Sequence, residues 1–480
     1  MFDFQKKNSL FKNIFLMVFG NVITQGANFF IFIYIAREFG PAVFGEYNWS
    51  KALVQYFILF AAFGFDNVAM IKILKEKNNF EKMKYEYNRI LLHKFLFSLI
   101  SYMLLVIFIV FFNGNDETKL MSILIGLSII TVSLNNTWFF RSFQQSEIPL
   151  ITELIKITFY VIMVTINYFT LKSIIVIIIS WVVAEVISYT YSNLKSPFKF
   201  IPFSTSISKD IVKLGTPFFI SGFFATISLN IDILLIGILR DSEEVGYYSA
   251  MYKIVSLIMV VSAIIFNAIK PVLIENFHKR NINFLSDFTL NIKKYCLIIV
   301  IPMSLYSFLF QKELVNFVYG SQYSSVSNVF ALLMLYASIF LFREIFGYQM
   351  ISYSLQNKYM NIVITTGVLN FALNFILIPK YGLIAAAVTT LLTEILNLIL
   401  MKYFVDKIIS DSIQPSFINR LIIVNLITYL FYYIVEKINF ETDLILLIFI
   451  GLLYLVLLQK FNLFNFGSLI IKLSNWRNKK

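Results

Sequence analysis

Apolar stretches long enough to cross a bilayer recur along the whole chain, and they leave little else for it to fold into. Runs of about 18 to 25 residues, bounded by charged or turn-forming residues, fall near 13–35, 48–71, 90–112, 120–140, 148–168 and 173–194. After a polar segment, 195–209, six more lie near 212–239, 247–272, 291–311, 326–351, 359–378 and 382–404, and two last ones near 418–435 and 443–459. A hydrocarbon core about 30 Å thick takes about 20 helical residues, so the pattern predicts an all-α integral membrane protein with about 14 transmembrane helices. Composition excludes a soluble fold: 59% of residues are hydrophobic and 14% charged, and no water-soluble core hides that much apolar surface. The first run continues to Ala36 without a small-residue cleavage pattern after Lys6, Lys7 and Lys12, so a retained helix is expected rather than a secretory signal.

Lysine and arginine set the orientation. Of 40 such residues, twenty-eight fall in segments on the N-terminal side of the membrane. Seven lie on the other side (Arg37, Lys119, Lys172, Arg240, Lys312, Lys380 and Lys437), and five lie inside the spans. Positive charge gathers on the cytoplasmic face of membrane proteins, so a multi-pass protein with both termini cytoplasmic is expected. The formal net charge of +13 follows from this spread and calls for no nucleic-acid partner. One cysteine, Cys296, allows no intramolecular disulfide, and two histidines with no Cys/His cluster give no basis for a metal site. No cofactor is expected.

The two halves repeat. Phe44-Gly45-Glu46-Tyr47 and Val245-Gly246-Tyr247-Tyr248 each open the second helix of a half, and at the same offset Asp66 falls opposite Asn267. Ser173 and Gly382 start the sixth helix of each half, with Glu185 and Glu394 twelve residues further on. An even number of helices per half keeps the halves parallel, related by an axis along the membrane normal, with substrate expected between them near the midplane. The predicted organisation is two pseudo-symmetric six-helix lobes, 1–208 and 209–410, followed by two C-terminal helices and a tail, 411–480.

Two motifs carry a resemblance to a known family. Ala36-Arg37-Glu38-Phe39-Gly40-Pro41-Ala42-Val43-Phe44-Gly45-Glu46-Tyr47 resembles the A-R-x-L-G-P-x-x-F-G-x-Y segment after the first helix of polysaccharide exporters, with Phe39 in place of Leu. Asn230, Asp232, Gly237, Val245, Gly246 and Tyr248 resemble the same family's N-x-D-x-x-x-x-G followed by V-G-x-Y. With the span count, the likeness covers essentially the whole chain and is to Wzx-type flippases of the multidrug/oligosaccharidyl-lipid/polysaccharide exporter superfamily. It implies a pair of lobes in the bacterial cytoplasmic membrane, moving undecaprenyl-pyrophosphate-linked oligosaccharide (an O-antigen or capsule repeat unit) outward by alternating access. It also implies coupling to H+ or Na+, and glycan polymerase and chain-length proteins as partners.

Such a cargo needs cations for its pyrophosphate and polar groups for its sugars, so ionisable residues inside the spans are the candidates. Lys253 could contact pyrophosphate or pair with Asp232, because both lie roughly 10 Å from the turn between their helices. Lys51, expected one turn from the outer surface, and Lys270, before Pro271, could bind substrate or snorkel to the interface. Arg343, beside Glu344, is the candidate to line a cationic cavity. Glu153 and Lys156, three apart on one helix face, can neutralise each other or line the lumen. Asp66, Glu185 and Glu394 are the acidic candidates for ion coupling, since burial favours their protonated form. Competing expectations are a lipid II flippase or a small-molecule cation antiporter of the same fold. A membrane glycan polymerase or ligase is disfavoured because no outer loop exceeds roughly a dozen residues.

Overall fold

The computed structural model describes residues 10–199, 201, 207–409, 411–437 and 443–464. Both chain ends, with Lys6, Lys7, Lys472, Arg477, Lys479 and Lys480, lie outside the described residues. Every described element is helical. In order they are α1 (Leu10–Ala62), α2 (Phe65–Lys75), α3 (Phe80–Phe111), α4 (Asp116–Gly126), α5 (Ser128–Leu134), α6 (Thr137–Ser142), α7 (Glu147–Phe169) and α8 (Ile174–Lys195). Then come α9 (Lys209–Leu239), α10 (Ser242–His278), α11 (Ile282–Leu309), α12 (Gln311–Tyr319), a 3-10 helix (Ser321–Val326), α13 (Ser327–Ser352), α14 (Gln356–Asp406), α15 (Pro415–Lys437) and α16 (Asp443–Lys460). Asparagine starts several of them: the side chains of Asn79, Asn115 and Asn281 accept from the backbone N–H three residues on, meeting donors that a helix end leaves open.

Among the described residues ten stretches are long and apolar enough to cross a membrane. Two of these are each a pair of crossings folded about a glycine: Gly40 (φ 73°) divides α1, and Gly382 (φ 56°) divides α14. A side chain at such a φ crowds the backbone, which is why glycine stands at both turns. With α9 and α16 the crossings among the described residues come to fourteen, as the sequence pattern predicts.

The structure departs from the expected spans at three places. Residues 36–47, expected as a loop, are helical except at Gly40. Ala, Arg and Glu favour helix, and Pro41 stands at the start of the second segment, where its missing N–H costs nothing. Lys51 consequently sits ten residues past the turn, roughly 15 Å along the helix rather than one turn from its end. The expected span 48–71 breaks at Phe63 and Gly64, whose φ values are 42° and 72°, and the break brings the Phe63 ring onto Phe219 with centroids 4.6 Å apart. The span near 120–140 is three consecutive short helices, α4 to α6.

The helices pack into two compact units. The first is Met1–Lys253 with Phe371–Ala386. Its core is aromatic: Phe65, Tyr87, Trp138, Phe139, Phe140 and Phe198 are all buried, and Asn136 and Ser196 donate to the Tyr87 hydroxyl oxygen at 2.8 and 3.0 Å. Burying Tyr87 without those partners would leave a polar group unsatisfied in an apolar core. In this unit the repeat-related motifs meet. A Cβ on Gly45 would strike the Ser242 carbonyl, and one on Gly246 would strike the Pro41 carbonyl, so the two turns pack backbone to backbone. The second unit is Ile254–Asn370 with Ala387–Lys480. There α15 and α16 close on α11 through Ile298, Leu421, Val424 and Leu458, and the Tyr454 hydroxyl donates to the Ile298 carbonyl at 2.7 Å.

Candidate functional site

Along the first half of α1, Asn21, Thr24, Gln25 and Asn28 follow the spacing i, i+3, i+4, i+7 and form one polar stripe on a membrane helix. Carboxamides in hydrocarbon cost several kcal/mol each unless water or polar partners meet them. The stripe faces the start of α7 across a cleft of about 360 Å³ that Glu153, Lys156, Ser146 and Arg141 also line. Arg141 is exposed and makes no ion pair among the described residues. Carboxamides and a hydroxyl can exchange hydrogen bonds with sugar hydroxyls, and a guanidinium can grip an anionic oxygen. None of Asn21, Thr24, Gln25, Asn28 or Arg141 stood among the sequence candidates. The helical spacing of the amides was the signal that could have found the first four.

Lys156 pairs with two carboxylates at the cleft. Its Nζ lies 2.7 Å from Glu153 Oε2 and 3.4 Å from Glu185 Oε1, the latter reaching over from α8. Glu153, Lys156 and Glu185 therefore come together as one cluster, with Glu185 buried.

Its repeat counterpart, Glu394, meets a different base. Arg343 Nε donates to Glu394 Oε1 at 2.6 Å, and Nη1 also bonds the neighbouring Glu344, with the guanidinium 4.6 Å over the Phe340 ring. Asn397 donates to Glu394 Oε2 at 3.2 Å, and Thr366 donates to Asn397 at 2.8 Å. Arg343, Glu344 and Glu394 are thus the second cluster, and Arg343 lies buried between two carboxylates.

The remaining candidates sit apart from these clusters. Asp66 accepts from Lys94 Nζ at 2.6 Å; the lysine is buried while Asp66 is half exposed. A similar buried lysine in the second unit, Lys293, pairs with Asp411, to which Thr289 also donates at 2.8 Å. Asp232 takes hydrogen bonds from Tyr248 at 2.7 Å and Asn374 at 2.6 Å. Lys253 Nζ stands 5.1 Å over the Phe32 ring. Lys51 donates to the Tyr47 hydroxyl at 3.3 Å and lies 5.5 Å from the Trp181 ring. Lys270 is half-buried on α10. Among the described residues no group of three or more His, Cys, Asp or Glu is placed to hold a metal ion.

Outside the spans, Asp210 at the start of α9 joins α2 and α3. Lys72 Nζ is 2.8 Å and Arg89 Nη2 2.7 Å from its carboxylate oxygens. The Lys72 hydrogen bond first, and then the charges of Lys72 and Arg89, hold its carboxyl below the usual range.

Residues 10–277 match the sequence profile of the family described as polysaccharide biosynthesis protein. A probable low-salt glycan biosynthesis flippase of Haloferax volcanii is 24% identical over 185 residues, 38% of this chain and 39% of that one, so the match spans well under half of either protein. Among solved structures, a lipid II flippase in an inward closed conformation superposes with a TM-score of 0.72 at 16% identity, covering 95% of this chain and all of that one. An inward-facing multidrug transporter of the MATE family gives a TM-score of 0.64 at 13% identity over 80% of this chain and 95% of its own. At these identities the likeness is one of fold.

Proposed function

The chain belongs to the polysaccharide biosynthesis protein family, and from that premise we propose that it is a flippase for a lipid-linked oligosaccharide, working by alternating access. The substrate is an undecaprenyl-pyrophosphate-linked repeat unit, carried from the cytoplasmic to the outer leaflet of the cytoplasmic membrane with both termini inside. The moving bodies are lobes 1–208 and 209–410. The observation that carries this reading is the polar cleft between α1 and α7, where a carboxamide stripe and the exposed Arg141 lie within membrane-crossing helices.

In this scheme Asn21, Gln25 and Asn28 exchange hydrogen bonds with sugar hydroxyls, while Arg141, Lys51, Lys253 and Lys270 supply positive charge to the pyrophosphate. Glu185 with Lys156, Glu394 with Arg343, and the carboxylates of Asp66 and Asp232 are the groups through which H+ or Na+ enters the cycle. Arg343 positions Glu394 rather than touching cargo, because its guanidinium is already enclosed.

The test is transport by the purified protein in liposomes. Fluorescent undecaprenyl-pyrophosphate oligosaccharide is followed to the opposite leaflet, with and without a proton or sodium gradient, beside lipid II as a competing cargo. Protein-dependent movement of the oligosaccharide that lipid II does not share supports the reading. Movement of lipid II alone places the chain in cell-wall precursor transport instead, and movement of neither refutes it.

A further inference from the structure

The two helices that enclose the polar cleft enclose a second concavity further along. Ala27, Phe30 and Tyr34 on α1 face Val161, Tyr168 and Phe169 on α7 around about 480 Å³. Its wall is almost wholly apolar, whereas the first cleft is lined by amides and charges. The two spaces follow one another along the same helix pair: Asn28 lines one and Ala27 the other, and beside Gly26 there is open space. Phe30 and Phe169, at 72% and 77% exposure, leave the apolar space open on its flank, where lipid would stand.

Length decides what fits. From Ser146, at the start of α7, to Lys156 the polar part runs ten residues, roughly 15 Å; five residues on, the apolar part from Val161 to Phe169 runs roughly 12 Å, so the whole is roughly 35 Å long. Together they span about the thickness of a hydrocarbon core. A glycerophospholipid with its phosphate at Arg141 would have to lay its acyl chains against Glu153 and Lys156, which apolar chains do not tolerate. An amphiphile with an elongated, anionic, hydroxyl-rich head and a chain longer than one leaflet matches both parts in order.

We propose that the α1–α7 seam binds one amphiphile lengthwise: the polar cleft takes its anionic glycan head, and the Phe30–Tyr168 groove takes the head-proximal part of a polyprenyl chain. This rests on the flippase reading and extends it by giving the chain a seat on this unit. Moving a chain from lipid into a groove gains packing but no hydrophobic burial, so the groove selects by shape. Branched isoprenoid units against Phe30, Tyr168 and Phe169 provide that shape.

The experiment uses the full chain in phosphatidylethanolamine/phosphatidylglycerol vesicles and two photoprobes with the same benzophenone. One is a long polyprenyl diphosphate without sugar, the other a phosphatidylglycerol tagged on its acyl chain. Peptide mapping should place the polyprenyl label on 27–34 and 161–169, and excess unlabelled polyprenyl diphosphate should reduce it at least about tenfold, as saturable binding requires. The phospholipid probe should label exposed apolar surface broadly and without competition. Equal labelling of the seam by both probes, unaffected by competitor, would make it ordinary lipid-facing surface and overturn the proposal.

Ala27→Trp and Val161→Trp fill the groove from opposite walls and should each abolish the competed label while the phospholipid pattern persists, which also reports that the variant is folded. Persistence of the competed label in both variants counts against the seat. The two readings separate cleanly. Competed labelling of the seam in a protein that transports no lipid-linked glycan refutes the flippase and keeps the seat; transport with uncompeted labelling does the reverse.

Discussion

Gly45 and Gly246, 201 positions apart in the sequence, lie backbone against backbone: the Gly246 nitrogen stands 2.7 Å from where a Gly45 side chain would begin. Their neighbours are carbonyls of Ser242 and Pro41, which cannot swing aside as a flexible side chain would. The two copies of an internal repeat therefore touch at the same element, and glycine in both is a condition of the contact.

Gly45→Ala and Gly246→Ala should each lower stability by on the order of 1–3 kcal/mol, the usual range for overpacking a tight contact. Gly451→Ala, with open space at its Cβ, should leave the midpoint unchanged or raise it slightly. Thermal unfolding in detergent ranks the three, and equal midpoints would remove the close-packing account.

Arg343→Gln strips the cation that pairs with both Glu344 and Glu394. Breaking a buried ion pair by removing one partner costs about 3–5 kcal/mol, and neutralising both glutamates as well should recover much of it. A triple variant as unstable as the single one would show that the arginine acts through something other than these carboxylates.

Arg141→Ala should leave the unfolding free energy within about 0.5 kcal/mol of wild type, since the side chain is exposed and has no ion pair among the described residues. It should weaken transport chiefly by raising the substrate concentration needed for half-maximal rate. Unchanged transport would remove Arg141 from the binding site.

The Asp210 carboxyl has a lowered pKa in the folded protein, so its bonds to Lys72 and Arg89 stabilise the fold fully above the ordinary aspartate pKa of about 3.9. That contribution disappears as pH falls through the lower folded value. The carboxylate is half exposed, so the effect is small, about 0.2–1 kcal/mol. Asp210→Asn should be less stable than wild type at pH 7, and the gap should close as pH falls below the ordinary aspartate range and through the lowered folded pKa. A constant gap across that range would assign the difference to packing.

Much of the architecture was legible because membrane crossings declare themselves by length and hydropathy. The fourteen crossings and the i,i+3 pairing of Glu153 with Lys156 all follow from local pattern. Long-range partners do not. Nothing in the sequence brings Glu185 to Lys156 or Glu394 to Arg343, because a helix face points at whichever helix the tertiary packing puts there. The break at Phe63 was hidden inside a continuous apolar run, since phenylalanine and glycine next to each other read equally well as helix interior. The cleft was missed for a different reason. Attention to charge alone passes over amides, although a stripe of uncharged polar groups on a membrane helix is as much a sign of a wet or liganded face as a lysine is.

Glu185 and Glu394 are placed alike in the repeat, yet one is met by a lysine from α7 and the other by an arginine from α13. Each resulting cluster sets one basic group against two carboxylates, and counted as formal charges each is one cation short of neutral. Each deficit is a net negative charge held among apolar side chains, an arrangement that is costly until a proton or another cation joins it.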